Sequence, residues 1–260
     1  MSWISKVLGS HKESEVSREQ RTIENLLKFT IVTPGTTTPH DPKQMLSAID
    51  EVEQNFGSNI PPSVADALAS TVLCYTAWHV RGDARRGFLE RAVRYYRMSG
   101  NKAGLGRLLV NEAQVRNLKE AIPLLEELYT NSTNYDPALC SYAEALYKDG
   151  QYVRAYEVAT HIHGLAEKTK KYWDAQMEQL KRCSVDLSQP EYVTTLHNWM
   201  SSLPTAPMEL AAKALRAEAK QLKKAGQQKE AIAMLKQLQE TGRATNNDVR
   251  ELERLTVSQQ

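Results

Sequence analysis

Residues 136–155 read DPALCSYAEALYKDGQYVRA, and this stretch decides the fold. Leu139, Tyr142 and Leu146 follow one another at intervals of three and four residues, which places them on one face of a helix. The Asp-Gly pair ending at Gly150 predicts a turn, because glycine adopts the left-handed conformation that ends many helices. Apolar residues resume directly after the turn. The stretch therefore predicts two helices joined by a short connection.

The same arrangement recurs at a spacing of 34 residues, both upstream from Leu105 and downstream from Trp173. A further copy near the C-terminus begins at Leu215, 42 residues after Trp173, which indicates an insertion of eight residues. An ordinary helical bundle could show such a match by coincidence, but here the turns of four successive units are also spaced 34 residues apart. These positions are Gly82, Arg116, Gly150 and Ser184.

This pattern resembles the tetratricopeptide repeat, whose two-helix unit carries a large, a small and an aromatic residue on its first helix and a small residue at the start of its second. The resemblance covers residues 65–241 and is strongest near Asp136 and Ala212. It implies an all-α fold, a right-handed α-solenoid of stacked helix-turn-helix repeats with helical caps. Small residues such as Ala143, Ala155 and Ala219 would let neighbouring helices approach closely.

The periodicity also predicts how the chain is organised outside the repeats. Two helical segments separated by a proline-rich loop precede the first repeat, and a last helix capped by Asn246 or Asn247 follows the final one. The expected parts are an N-terminal tail at 1–15, a helical hairpin cap at 16–60, about five repeats at 61–241 with a degenerate unit at 170–205, and a capping helix at 242–260.

Composition excludes several classes of protein. Lys plus Arg number 33 and Asp plus Glu 31, so the net charge of +2 provides no global attraction to nucleic acid. The odd number of widely spaced cysteines, Cys74, Cys140 and Cys183, argues against a disulfide framework. The longest uncharged helical stretch, residues 67–80, is too short to span a bilayer and predicts a buried helix. With no secretory signal evident, we expect a cytoplasmic protein.

No catalytic or metal-binding motif is found in the sequence. The glycines Gly100, Gly104 and Gly106 follow a helix instead of a strand, so they predict a turn and close packing rather than a phosphate-binding loop. His161 and His163 lie about 200° apart around a helix and cannot share a metal ion. We therefore expect no enzyme activity, no cofactor and no metal, and interpret the chain as a binding protein.

The resemblance implies that the first helices of successive repeats line a groove that holds an extended peptide or a partner's helix. We call the residues of these first helices that are expected to face the groove the stripe. Thr76 and Val110 belong to it. On the last repeat the stripe is strongly basic, which suggests an acidic partner, although a solvated outer face would look the same. The candidate partner-binding residues on the stripe are Tyr147, Lys148, Arg182, Lys213, Arg216, Lys220 and Lys224.

A second basic cluster runs from Arg81 to Arg107, with eight Lys or Arg residues against two acidic ones. Within it Arg86, Arg94 and Arg97 are further candidates for contacting a partner, because arginine suits carboxylate and phosphate groups. A solvated helix face is the alternative. If Tyr75, Tyr95 and Tyr96 stacked on bases, this cluster would instead suit a helical-repeat nucleic-acid-binding protein, a function that the balanced overall charge disfavours.

The N-terminal segment has an amphipathic pattern of its own, in which Trp3, Ile4, Val7 and Leu8 share one side of a short helix. It could anchor the protein by binding in a partner's groove or to a membrane surface, or it could fold back on the repeats. Taken together, the sequence predicts a non-catalytic scaffold or adaptor that assembles a complex by binding another protein.

Overall fold

A computed structural model describes residues 18–30, 40–182 and 205–257, and within these ranges it contains eleven helices and no strand. The all-α prediction is therefore confirmed. The chain divides into two compact units, Met1–Asn117 and Leu118–Gln260. No helix in the described ranges is both long and apolar enough to cross a membrane.

The first unit begins with two helices, and the start and end of the second follow from local sequence. Asp41 caps the second of them, accepting a hydrogen bond from the Lys43 amide at 2.9 Å, and Gly57 ends it with a positive φ of 55°. The helices of this unit are α1 at residues 18–27, α2 at Pro42–Phe56, α3 at Pro62–His79, α4 at Ala84–Ser99 and α5 at Lys102–Asn111.

Helix α3 forms the centre of the first unit and packs against α2 and α4. It buries residues on most of its circumference, among them Leu68 and Val72, which are fully buried. The hydroxyl of Thr71 is also buried and donates hydrogen bonds to the carbonyls of Ala67 at 2.9 Å and Leu26 at 3.2 Å. The uncharged stretch at 67–80 is thus helical up to His79 and buries residues as far as Thr76, whereas Trp78 near its end is 49% exposed, so the prediction of a buried helix holds for its first part.

The second unit consists of helices that pack mainly against their neighbours in sequence, with an additional contact between α7 and α9. Its turns at Gly150 and Gly226 use positive φ angles of 85° and 77°. The alanines expected at close helix contacts, Ala143 and Ala155, are fully buried. The helices are α6 at Leu118–Asn131, α7 at Pro137–Lys148, α8 at Tyr152–Arg182, α9 at Thr205–Lys224, α10 at Gln228–Glu240 and α11 at Asn246–Val257.

Helix α8 differs from the repeat prediction. The pattern predicts a separate first helix beginning near Lys170, but the chain continues from Tyr152 to Arg182 as one helix of 31 residues. No proline interrupts these residues, and a single Gly164 costs only about 1 kcal/mol in a helix, too little to end it. The turn predicted at Ser184 lies outside the described residues.

The last helix is capped differently from the prediction. Thr245, and not Asn246 or Asn247, precedes it, and the Thr245 hydroxyl accepts a hydrogen bond from the Asp248 amide at 3.3 Å. In return the Asp248 carboxylate accepts hydrogen bonds at 2.7 Å from the amide and the hydroxyl of Thr245. This reciprocal capping box uses an acidic residue three positions after the cap, a spacing visible in the sequence.

Gly104 is expected to be intolerant of a side chain. A Cβ atom there would lie 2.5 Å from Cε1 of Tyr96, whose ring is buried. Gly104→Ala should therefore destabilise the first unit by about 1–3 kcal/mol through overpacking, measured by urea unfolding followed by circular dichroism. The close packing predicted for this glycine is confirmed.

A matched control is available in α4, where a Cβ at Gly87 would meet nothing within 4 Å. Gly87→Ala should stabilise the protein by about 0.5–1 kcal/mol, because alanine loses less backbone entropy in a helix. If both substitutions changed the free energy of unfolding in the same direction, the packing of Gly104 against Tyr96 would be contradicted.

Candidate functional site

The second unit contains a groove between the end of α7, the start of α8 and the exposed side of α9. We define the groove by a hollow of about 460 Å³ in this place. It unites five of the candidate residues that are distant in sequence. Its lining is Tyr147, Tyr152, Lys213, Arg216, Ala217, Lys220, Gln221 and Lys224.

Helix α9 presents its lysines to the groove because its opposite side is used for packing. Leu215 and Ala219 are almost completely buried, with Leu215 packed near Leu238 of α10. Lys213 and Lys220 are exposed on the other side. This amphipathic arrangement, apolar inside and cationic outside, is the one that the sequence periodicity predicts.

Two tyrosines form the aromatic wall of the groove. The rings of Tyr147 and Tyr152 have their centroids 5.3 Å apart. The Lys213 ammonium nitrogen lies 4.5 Å from the centroid of the Tyr147 ring, a cation–π contact. Lys213 is thus held across the groove, although it remains exposed. The wall combines apolar surface with a positive charge.

Two other cations of α9 are engaged by the last helix. Arg216 donates from Nε to the Asp248 carboxylate at 2.9 Å and from a terminal nitrogen to the Arg243 carbonyl at 2.6 Å. Lys223 forms an ion pair with Glu251. Sequence reasoning missed these partners, although Asp248 and Glu251 stand three residues apart and so share a face of α11.

Three lysines are left facing the groove. Among the residues that the structure describes, none forms a salt bridge with Lys213, Lys220 or Lys224. All three are exposed. Their charges are therefore available to an acidic group from outside the chain.

The contact between α9 and α11 should weaken at acidic pH. Burial by itself would raise the pKa of Asp248, but hydrogen bonds from Thr245 and Arg216 outweigh it and the pKa is lowered. A carboxylate with a lowered folded pKa stabilises the protein above its unfolded pKa of about 3.9, and this contribution is lost as the pH falls through the folded value. Asp248→Asn should lower the free energy of unfolding by about 1–3 kcal/mol at pH 7.

Hydrogen exchange of the α11 amides at pH 7 and below pH 4 measures this effect. In the wild-type chain, protection should fall over the acidic range, whereas in Asp248→Asn it should already be low at pH 7. Hydrogen bonds from Lys223, and also from Arg254, likewise lower the pKa of Glu251. Unchanged α11 protection in the variant would contradict the role of Asp248.

The arginine cluster at 81–107 is largely paired within the first unit. Arg86 pairs with Glu90 at 2.9 Å, and Arg94 pairs with Glu53 of α2 at 3.2 Å. Arg97 lies on the exposed side of α4. Glu53 is distant in sequence, so a count of charges within residues 81–107 leaves it out. That count therefore overestimates the positive charge available to a partner.

Two tyrosines expected to stack on bases are unavailable for it. Tyr95 is fully buried and Tyr96 is 7% exposed, so the stacking expectation is wrong for both. The spacing of Tyr96 from Ala92 and Val93 already predicts it on the packed side of α4, whereas Tyr95 is buried because the buried arc of this helix is wider than that spacing suggests. Tyr75 packs against Phe88 with ring centroids 5.1 Å apart.

The other candidates lie apart from these groups. Lys148 is half-buried and pairs with Glu144 at 2.8 Å. Thr76 and Val110, expected on an exposed stripe, are fully buried, which corrects that part of the prediction. Arg182 ends α8, but its side chain is outside the described part of the chain. The segment containing Trp3, Ile4, Val7 and Leu8 lies outside it too.

The described residues offer neither a cluster of metal ligands nor, at Cys74 and Cys140, a readily ionised thiol. They contain no group of three or more His, Cys, Asp or Glu that could hold a metal ion. Cys74 and Cys140 are free thiols, and burial raises the pKa of each. A raised pKa disfavours the thiolate, which is the nucleophilic form of cysteine.

The helix pairs and their turns are consistent with helical repeats of the tetratricopeptide-like type. In agreement, residues 114–191 match the model of a repeat family described as anaphase-promoting complex, cyclosome, subunit 3. The match covers α6, α7 and α8. No curated protein and no solved structure matches the chain. Repeats of this type generally act as protein-interaction scaffolds and are generally non-enzymatic.

Proposed function

We propose that this protein is a non-catalytic scaffold that binds a peptide or helix of a partner protein in the groove of its second unit and so supports assembly of a complex. The observation that carries the proposal is the set of three exposed lysines, Lys213, Lys220 and Lys224, without salt-bridge partners among the described residues. They stand beside two tyrosines that offer apolar contact area.

This combination suits a protein partner better than other ligands. Tyrosine is enriched where binding energy concentrates in protein interfaces, because its ring buries a large area and its hydroxyl can still form hydrogen bonds. Exposed lysines around it attract and orient an acidic segment. For nucleic acid the support is weaker, because Arg86 and Arg94 already have carboxylate partners and Tyr95 is buried.

The proposal includes the arrangement of caps and a cellular location. The α1–α2 pair and helix α11 would cover the ends of the repeats; Leu255 of α11 already packs in a cluster with Ala231 and Leu235. A cytoplasmic location is supported by the free thiols of Cys74 and Cys140.

The test reverses the charges of the groove. Lys213→Glu, Lys220→Glu and Lys224→Glu together should weaken partner binding by about tenfold or more, because three attractions become repulsions. The partner is first identified by affinity purification from the source cells, and its affinity for the purified protein is then measured by calorimetry. The melting temperature should change little, since the three side chains are exposed.

A matched control reverses the same number of charges at positions outside the groove. Lys229→Glu, Lys236→Glu and Arg250→Glu alter exposed residues of α10 and α11 that do not line the groove. This triple variant should retain the partner. Equal retention by both triple variants would mean that the groove is not the binding site.

A further inference from the structure

The first unit contains a hollow of about 270 Å³ between α3, α4 and α5. Small residues face it from two of these helices. Ala77 lines it from α3 and Gly104 from α5, where a Cβ atom would collide with the ring of Tyr96. One water molecule takes about 30 Å³ of the liquid, so the hollow has room for about nine non-hydrogen atoms.

The floor of the hollow is apolar. Leu89 of α4 is fully buried, Leu108 of α5 is almost so, and Leu73 of α3 lies beside them in the lining. The ring of Tyr96 adds to this surface, and its hydroxyl is hydrogen-bonded to Ser70. An apolar group that enters the hollow therefore leaves water without breaking a polar contact of the protein.

Two polar residues of the lining already satisfy each other. Arg85 donates hydrogen bonds to the two carboxylate oxygens of Glu112, at 3.1 Å and 3.0 Å, and another to the Thr76 carbonyl at 3.2 Å. Both charged side chains are partly buried. Because Arg85 engages both oxygens of Glu112, this carboxylate is not available to a cationic ligand.

Two polar residues of α5 are left at the rim of the hollow. Arg107 and Asn111 are exposed and four residues apart, so they are neighbours on the surface of the helix. Within residues 18–30, 40–182 and 205–257, neither side chain has a hydrogen-bond or ion-pair partner. A guanidinium can donate two parallel hydrogen bonds to a carboxylate, and an amide nitrogen can donate another.

We infer that the hollow binds a small monocarboxylic acid, whose apolar body lies on the leucine floor and whose carboxylate meets Arg107 and Asn111 at the rim. Each half of the lining selects one half of this ligand. A purely apolar molecule would leave Arg107 without a partner, and a polyanion would leave the apolar floor facing water. The inference goes beyond the proposed function, because it gives the first unit a ligand of its own.

Isothermal titration calorimetry of the full chain at pH 7 tests the inference with octanoate, acetate and octylammonium as probes. Octanoate should bind about 30-fold or more tightly than acetate, which has no chain to bury. It should also bind about fivefold or more tightly than octylammonium, which Arg107 repels. Absence of octanoate binding, or equal binding of octanoate and octylammonium, would overturn the inference. Tighter binding of a peptide that ends in a free C-terminal leucine would do so too, because the occupant would then be a protein terminus.

Protein variants assign the binding to the hollow. Arg107→Gln should weaken octanoate binding about two- to fivefold, the contribution of one exposed ion pair, and reduce the preference over octylammonium. Arg116→Gln removes the same charge at an exposed position outside the lining and should change neither. Ala77→Leu should weaken octanoate binding about tenfold or more by filling the hollow, with the helical circular dichroism spectrum retained. Unchanged octanoate binding in Arg107→Gln and Ala77→Leu would place the ligand elsewhere and overturn the inference.

Nuclear magnetic resonance of the methyl-labelled full chain locates the bound acid directly. Octanoate should shift the methyl resonances of Leu89 and Leu108, which line the hollow. The methyl resonances of Leu146, buried in the second unit, should stay in place and serve as the control. Shifts that spare Leu89 and Leu108 would contradict the proposed site.

Discussion

Truncation after Gly150 is expected to abolish the folded structure of α6 and α7. In the intact second unit α7 packs against α6, α8 and α9, and its Tyr142 and Leu146 are almost completely buried. The truncated chain lacks α8 and α9, so the apolar face of α7 would meet water. A repeat hairpin that cannot cover its apolar face against a neighbour is not stable alone.

Hydrogen exchange measures this loss at individual amides. In the truncated chain the amides of residues 139–146 should exchange at rates close to those of an unfolded peptide, whereas in the full chain they should be protected. Truncation after Gly242 is the control, because it removes α11 and leaves the helices that contact α7 in place. Protected α7 amides in the shorter chain would show that α6 and α7 form a stable pair without their neighbours.

Leu146→Ala is expected to destabilise the second unit by about 2–5 kcal/mol. Leu146 is fully buried on α7. Removing three carbon atoms there eliminates apolar contacts and leaves a cavity that the surrounding helices fill only in part. Urea unfolding followed by circular dichroism gives the free energy of unfolding, and the slope of the transition should stay unchanged.

The next residue along the chain provides the control. Tyr147 is half-buried and contacts Tyr152 and Lys213 at the groove. Tyr147→Ala should lower the free energy of unfolding by only about 0.5–1.5 kcal/mol, the contribution of an aromatic pair, while it weakens partner binding. A larger loss of stability for Tyr147→Ala than for Leu146→Ala would contradict the division between core and groove along α7.

Much of the fold could be predicted because its signals are local. The spacing of Leu139, Tyr142 and Leu146 predicts one face of a helix, and all three are buried. Gly150 at the predicted turn has the positive φ that a helix end favours. Periodicity and turn chemistry depend on a few consecutive residues, so one sequence is enough to read them.

The continuous helix α8 shows where repeat periodicity was insufficient. The repeat pattern placed a new helix near Lys170, but the intervening residues favour helix and lack a strong breaker. The helical preference of these residues determines the local backbone, even where a weakly matching repeat predicts a boundary.

The candidate site was only half visible in the sequence. The periodicity of α9 places Lys213, Lys220 and Lys224 opposite its buried residues, and even the row that they form can be derived from their spacing. Which cations remain available depends on the distant carboxylates Asp248 and Glu251, which neutralise the neighbouring Arg216 and Lys223.

The same division applies to the first unit. Counting charges between Arg81 and Arg107 predicts a strong positive surface, but Glu53 and Glu112 approach from other parts of the chain and pair with Arg94 and Arg85. The sequence thus determined the helices, their turns and their buried faces, because these follow from interactions between near neighbours. Pairs four residues apart on one helix, such as Arg86 and Glu90, can also be read from the sequence. Only the tertiary structure decided which charges are paired between helices, because those ion pairs depend on distances between residues that are remote along the chain.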